Sequence, residues 1–339
     1  MKLDSRLEYG LYAALLAIAV AFPFLASNEY QVYVMALAFI WAIAAMGLNI
    51  IVGYTGQLNL AHAGFMAIGA YTVGLLTVDY GVPFWIAFLL AGPLAALLGF
   101  LGGLLSLRLK THFFSIFTLC VGYIIYLLIE KWDTLTHGTV GVIGIPAPSP
   151  IGPFTFDNTR SVYFLVLAFL VLAIFVKRRI VRSLVGRSFV AIRNSDELAE
   201  ALGINLMRTK VLAFTLSTFY AGLAGGLFAG FVRFLGPDLA REYHTFDMVA
   251  FVLVGGIGTL MGPVLGAIAL TWITQSLQFL ETYRMIVFGP LLILLVMFWP
   301  NGIIGTYTRW QARRRESGGA ASAAKRKSKE LHDEARANV

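Results

Sequence analysis

The sequence predicts an all-α polytopic membrane protein of eight to ten transmembrane helices, with broken helices near residues 53–64 and 254–266. Three observations predict it. The 339 residues are 58% hydrophobic and only 13% charged, against about 25% charged in a soluble domain. Apolar, charge-poor runs recur at 11–27, 31–52, 58–78, 84–107, 113–129, 162–176, 211–232, 246–278 and 285–305, and about 20 apolar residues suffice to cross a hydrocarbon core as a helix. Two of these regions carry glycine clusters that an unbroken span would not: GYTGQLNLAHAGFMAIGAY from Gly53, and VGGIGTLMGPVLG from Val254.

Taken in order, the first run follows Lys2 and Arg6 and ends on small residues, Ala26 and Ser27, as a signal peptide would. Asp4 and Glu8 spoil the positive flank that such a peptide needs, so the run reads as a first membrane helix. The stretch from Gly53 places Thr55, Gln57, Asn59 and His62 at the head of a membrane-length segment. Polar groups left unsatisfied in hydrocarbon are costly, and each glycine weakens a helix by about 1 kcal/mol relative to alanine. Gly53 and Gly56 therefore mark a break or a helix start. Two readings stay open: a broken helix lining a solute pathway, or a helix end whose His62 is satisfied by a neighbour. The run 246–278 is too long for one simple helix, and Gly255, Gly256 and Gly258 supply the corresponding break in the second half. Glycines at four-residue spacing (Gly99 and Gly103; Gly222, Gly226 and Gly230; Gly258, Gly262 and Gly266) predict close helix packing within the subunit.

Charge sets orientation, because Lys and Arg gather in cytoplasmic loops. Residues 177–193 hold six basic side chains and no acid, and the tail beyond Trp310 is also basic. Both belong inside; the Pro- and Gly-rich loop 130–160 belongs on the outer, periplasm-like face. The chain thus divides into a transmembrane domain, 1–310, with a cytoplasmic loop at 177–210, and a basic, disordered cytoplasmic tail, 311–339. The tail's charge fits a topology signal and gives no reason to invoke nucleic acid.

Catalytic chemistry finds no foothold. There is one cysteine, Cys120; the histidines at 62, 112, 137, 244 and 332 are scattered, and no metal-ligand spacing or phosphate-binding loop occurs. A membrane-embedded enzyme would need reactive groups within reach of one another. A stand-alone secondary transporter would need intramembrane ionisable groups, for which His62 and Asp247 are the candidates. Uphill transport otherwise takes its energy from a partner. Within 186–214, Asn194 or Ser195 caps a short helix, Asp196 and Glu197 suit its first turn, and Gly203 stops it. Leu198 and Leu202 share a face, fit either to dock in a partner's groove or to lie on the bilayer.

The residues resemble a known family. AMGLNIIVGYTGQLNLAHAGFMAIGAY is similar to the N-terminal signature of branched-chain amino acid ABC importer permeases. LRLKTHFFSIFTLCVGYIIYLLIEKWDTLTHGTVGVIGIP resembles the middle of the LivM-type subunit, and AIRNSDELAEALGINLMRTKVLAF its cytoplasmic coupling loop. VGGIGTLMGPVLGA and FWPNGIIG resemble its C-terminal signatures. The similarity runs from about residue 35 to 305. It implies a bacterial inner-membrane permease that is not an enzyme and binds no cofactor, ATP being held by LivG- and LivF-type partner subunits. A LivH-type permease would be the second membrane subunit, and a periplasmic binding protein would deliver substrate. Related permeases serve urea or short amides, so the resemblance leaves those as the alternative cargo. It implies that Arg193, Asn194, Ser195, Asp196, Glu197, Ala199, Glu200 and Gly203 couple the chain to an ATPase. Glu197, Ala199 and Gly203 keep the spacing of the wider EAA---G importer motif, with Leu198 in place of its middle alanine.

Overall fold

The computed structural model describes residues 5–106, 111–276 and 302. In chain order the helices are α1 (Ser5–Leu25), α2 (Glu29–Asn49), α3 (His62–Val78), α4 (Phe84–Ser106), α5 (Thr111–Lys131), the short α6 (Asp133–Thr136), α7 (Thr159–Arg182), α8 (Leu184–Asn194), α9 (Asp196–Ala201), α10 (Leu206–Val232), α11 (Glu242–Gly255) and α12 (Gly262–Ser276). A π-helical turn, Ile50–Tyr54, extends α2. Two short strands, β1 (Val142–Ile143) and β2 (Phe234–Leu235), pair antiparallel with Val142 opposite Leu235.

Burial shows how the bundle is built. From Val32 onward α2 is buried along almost its whole length, and α7, α10, α11 and α12 surround it. α4 is the opposite case. Its buried face is small or aromatic (Phe84, Phe88, Ala91, Ala95, Gly99), while Leu89, Leu90, Leu97 and Leu105 point outward. Leucines outside and small residues inside, from Ala91 to Gly99, is the arrangement of a helix facing lipid, where close backbone packing replaces the hydrophobic drive. The glycine ladders serve this packing within the chain. Gly222 and Gly226 lie against Ala91 and Phe88 of α4, Gly69 lies against Gly222, and Gly266 lies against the Phe251 carbonyl of α11.

Among the described residues five helices are long and apolar enough to cross a membrane: Glu29–Tyr54, Phe84–Ser106, Phe113–Lys131, Thr159–Arg182 and Leu206–Val232. Ala13–Leu25 and His62–Val78 are shorter apolar helices. Among the described residues the expected spans are not all full helices, for a physical reason: both glycine regions interrupt them. Residues 55–61 are not helical, so α3 starts only at His62; the long run 246–278 is divided into α11 and α12 by a non-helical turn at 256–261. The run 285–305, the FWPNGIIG segment apart from Gly302, and the tail 311–339 lie outside the described residues.

The expected loop 177–210 also differs from the structure. Its first residues continue α7 to Arg182, and what remains is two helices, α8 and α9, rather than one. A Ser183 N-cap, accepting from the Gly186 N–H, starts α8. Ser195 then ends α8 and starts α9, because its extended backbone cannot continue a helix while its hydroxyl accepts from the Leu198 N–H.

Candidate translocation and coupling site

The first break is built from the backbone outward. The Gln57 N–H reaches back to the Ile51 carbonyl at 3.0 Å, and Thr55 Oγ1 donates to the Ile50 carbonyl at 3.1 Å. Gly56, at φ +77°, then turns the chain in a conformation that side chains rarely adopt. Asn59 Oδ1 accepts from the Ala61 N–H at 2.9 Å, and Thr118 of α5 accepts from the Leu60 N–H at 3.1 Å. His62 opens α3 and donates from Nε2 to the Ala44 carbonyl of α2 at 2.9 Å. The Ala63 N–H goes to Thr245 Oγ1 of α11, again at 2.9 Å. Neighbouring side chains therefore take up backbone groups that the break frees. Thr55, Gln57, Asn59 and His62 are all buried. Two of their polar atoms, Asn59 Nδ2 and His62 Nδ1, have no hydrogen-bond partner among the described residues, and such atoms call for an explanation in a buried site.

The second break lies against the end of α2. Gly256 (φ +123°) and Gly258 (φ +70°) supply its turn. Thr259 Oγ1 donates to the Gly256 carbonyl at 2.8 Å and accepts from the Gly262 N–H at 3.0 Å, which starts α12. Asn49, fully buried at the end of α2, holds this turn by two bonds. Its Nδ2 donates to the Thr259 carbonyl at 2.7 Å, and its Oδ1 accepts from the Gly258 N–H at 2.9 Å. A Cβ on Gly53 would collide with Asn49 Oδ1 and sit 2.6 Å from the Gly258 nitrogen. Two glycine-marked breaks, 200 residues apart in sequence, thus meet at one end of the bundle.

Charged residues complete the junction. Arg193, the penultimate residue of α8, donates to the Gly53 carbonyl, and its guanidinium also packs on Gly258. Its aliphatic stem covers Gly56. Lys177 of α7 is fully buried; its Nζ donates to the Leu260 carbonyl at 3.5 Å and lies 5.8 Å from the Tyr54 ring centroid. An ionisable residue so placed in an apolar helix is expensive to bury, and here it lies beside both breaks.

On the far side of Arg193, α9 presents an open face. Leu198 is 60% and Leu202 71% exposed, and Asn194, Glu197, Glu200 and Gly203 are exposed beside them. Ala199 alone is fully buried, a wedge against the body. Asp196 accepts from Lys210 Nζ of α10 at 2.6 Å. Ser195 Oγ donates to Glu197 Oε2 at 2.9 Å. Gly203 (φ +82°) ends the turn.

Of the residues singled out from sequence, Gly53, Gly56, Gly258 and Arg193 form one cluster with Asn49, while Gly255 ends α11 and Gly256 opens the same turn. His62 and Asn59 form a second group, where α3 meets α11. The α9 residues form a third, exposed group. Sequence reasoning missed Asn49 and Lys177. Asn49 had a readable signal: it is a lone polar residue near the end of the apolar run 31–52. Lys177 had none, since its charge counted with the neighbouring arginines.

A lipid-facing helical bundle whose two broken helices are joined to an exposed, capped helix at one end has the build of a membrane transport subunit. The family model described as branched-chain amino acid transport system / permease component matches residues 30–296. The high-affinity branched-chain amino acid transport system permease protein LivM of Salmonella typhimurium is 34% identical, over 86% of this chain and 73% of its own. LivH of Escherichia coli K12, a permease protein of the same kind of system, is 26% identical over 78% of this chain and 91% of its own. The fructose import permease protein FrcC of Rhizobium meliloti is 25% identical over 71% and 70%. No solved structure matches. The chain belongs to the family of branched-chain amino acid transport system permease components, which are membrane transport subunits and not enzymes. Its likeness to both LivM and LivH fits a system with a second permease.

Proposed function

We propose that this chain is the LivM-type permease of an ATP-driven importer for branched-chain, aliphatic amino acids. It forms the pathway with a LivH-type permease and is driven by two ATPase subunits of LivG and LivF type. A periplasmic protein delivers the solute, and the chain itself binds no cofactor. It sits in the bacterial inner membrane with the arginine-rich end of α7 and the basic tail in the cytoplasm. The broken helices count among its eight to ten crossings.

The observation that carries this reading is the Arg193 bridge. Leu198, Leu202, Glu197 and Glu200 offer an ATPase groove an apolar stripe edged with charge, the helix-in-groove mode of recognition. Asp196 fixes α9 to α10 through Lys210, and Arg193 carries displacement of α8 to Gly53 and Gly258. Thr55, Gln57, Asn59 and His62 then line or border the pathway, with the buried Asn59 Nδ2 and His62 Nδ1 the groups that an opening of the break would present to a polar solute.

Two changes test the coupling. Gly203→Trp costs only about 1–2 kcal/mol of left-handed backbone strain, and a Cβ there meets nothing within 4 Å, so the subunit still folds and inserts. Its ring obstructs the exposed face, and ATP-driven leucine uptake is expected to fall at least about tenfold; unchanged uptake contradicts the docking assignment. Arg193→Ala removes a charge-assisted hydrogen bond of about 1.5–3 kcal/mol. In proteoliposomes the assembled complex is expected to retain ATP hydrolysis while uptake falls about tenfold or more. An equal fall in both rates contradicts a linking role. Running the same uptake assay with urea separates the amino-acid reading from the urea or short-amide alternative.

A further inference from the structure

Two cavities that the transport reading does not use meet on the outer face of α7. The first is an apolar crevice of about 410 Å³ among α1, α2, α7 and α12, walled by side chains such as Leu16, Phe22, Leu167, Val171 and Ile268. Along α7 it extends from Tyr163 to Arg178, 15 residue steps or about 22 Å of helix. Leu16, Ile18, Val171 and Phe175 are between 39% and 65% exposed, so the crevice opens to the surroundings. The second cavity, about 490 Å³, is formed by Phe175, Arg178, Arg179, Arg182 and Ser183. Phe175 and Arg178 belong to both, so the apolar crevice runs directly into the arginine-lined cavity. The Phe175 ring also carries the Arg179 guanidinium at 5.9 Å.

We propose that this composite site binds one anionic glycerophospholipid of the cytoplasmic leaflet, with an acyl chain along α7 and the phosphate among Arg178, Arg179 and Arg182. The length of the crevice suits a chain rather than a compact solute. Guanidinium groups bind phosphate through bidentate hydrogen bonds. Basic pockets between membrane helices on the cytoplasmic side are where anionic head groups are held. The proposal rests on the basic end of α7 being cytoplasmic, and it is independent of which solute is carried.

The test uses the complete complex, extracted in mild detergent and offered equal amounts of phosphatidylglycerol and phosphatidylcholine with the same acyl chains. Native mass spectrometry then counts retained lipid. Wild type is expected to retain phosphatidylglycerol about tenfold over phosphatidylcholine, and millimolar inorganic phosphate is expected not to displace it. In the R178Q/R179Q/R182Q variant the preference is expected to vanish. Should that variant fail to insert, Ile174→Trp fills the crevice while keeping the arginines, and is expected to remove phosphatidylglycerol retention by itself. Equal retention of the two lipids, displacement by phosphate, or full retention in Ile174→Trp overturns the proposal. So does a complex whose second permease cross-links to the crevice wall and excludes lipid, which would make this face a subunit contact.

Discussion

Gly225→Val is expected to remove the chain from the membrane almost completely. Gly225 lies where α10 crosses α3, and any Cβ there would run into the Met66 carbonyl oxygen while sitting 2.8 Å from the Ala70 nitrogen. Both obstacles are backbone, so no side-chain rotation relieves them, and the two helices must separate. Overpacking usually costs about 1–3 kcal/mol; a backbone collision at a contact that Gly69 and Gly222 also share belongs at or above the top of that range. Gly102→Ala is the control, since its nearest new neighbour is Phe65 Cζ at 4.0 Å. Immunoblotting of washed membranes should show the control at wild-type level and Gly225→Val strongly depleted. Equal amounts would mean that α3 and α10 are not packed this closely.

The second large effect is expected at Asn49. Asn49→Leu keeps similar bulk but removes both bonds to the second break, leaving the Gly258 N–H and the Thr259 carbonyl without them. Each buried group left unpaired costs about 1–3 kcal/mol. Folding survives, because the surrounding contacts of α2 are apolar and retained, but the breaks are no longer joined, and uptake is expected to be lost. Asn49→Asp keeps an acceptor for Gly258 and turns a second oxygen toward the Thr259 carbonyl, so it does not rescue. Asn49→Gln adds a methylene where Gly53 already lies against the side chain, and it should fail as well. Uptake by Asn49→Leu at more than about half the wild-type rate would show that the joined breaks are not required; that threshold corresponds to a change well under 1 kcal/mol.

What the sequence disclosed, and what it hid, follows from where the partners lie. Helix breaks were legible at Gly53–His62 and Gly255–Gly258, because glycine clusters and polar residues stand out in apolar runs. The start of α9 was legible to within one residue, Asn194 or Ser195, because a cap acts on residues only three positions away, and the structure selects Ser195. The number of full spans was not legible, since hydropathy cannot distinguish a full helix from one whose first turns are missing, as at 58–78. The Asn49 clamp was hidden because its partners are 209 and 210 residues distant. Lys177 was hidden because charge counting assigns every cation near a helix end to solvent, whereas α7 continues past it to Arg182. Arg193 stood among the residues expected to couple the chain to an ATPase; its side chain instead reaches the Gly53 carbonyl, which only the packing of α8 on the π-helical turn reveals.

The central claim, that this permease works as one subunit of an ATPase-driven importer, is tested most directly by gentle extraction of the tagged chain from native membranes and identification of what accompanies it. A second permease and two ATP-binding subunits are expected to accompany the chain, with leucine uptake by the reconstituted complex strictly dependent on ATP. A chain that emerges alone and moves solute without ATP would contradict it.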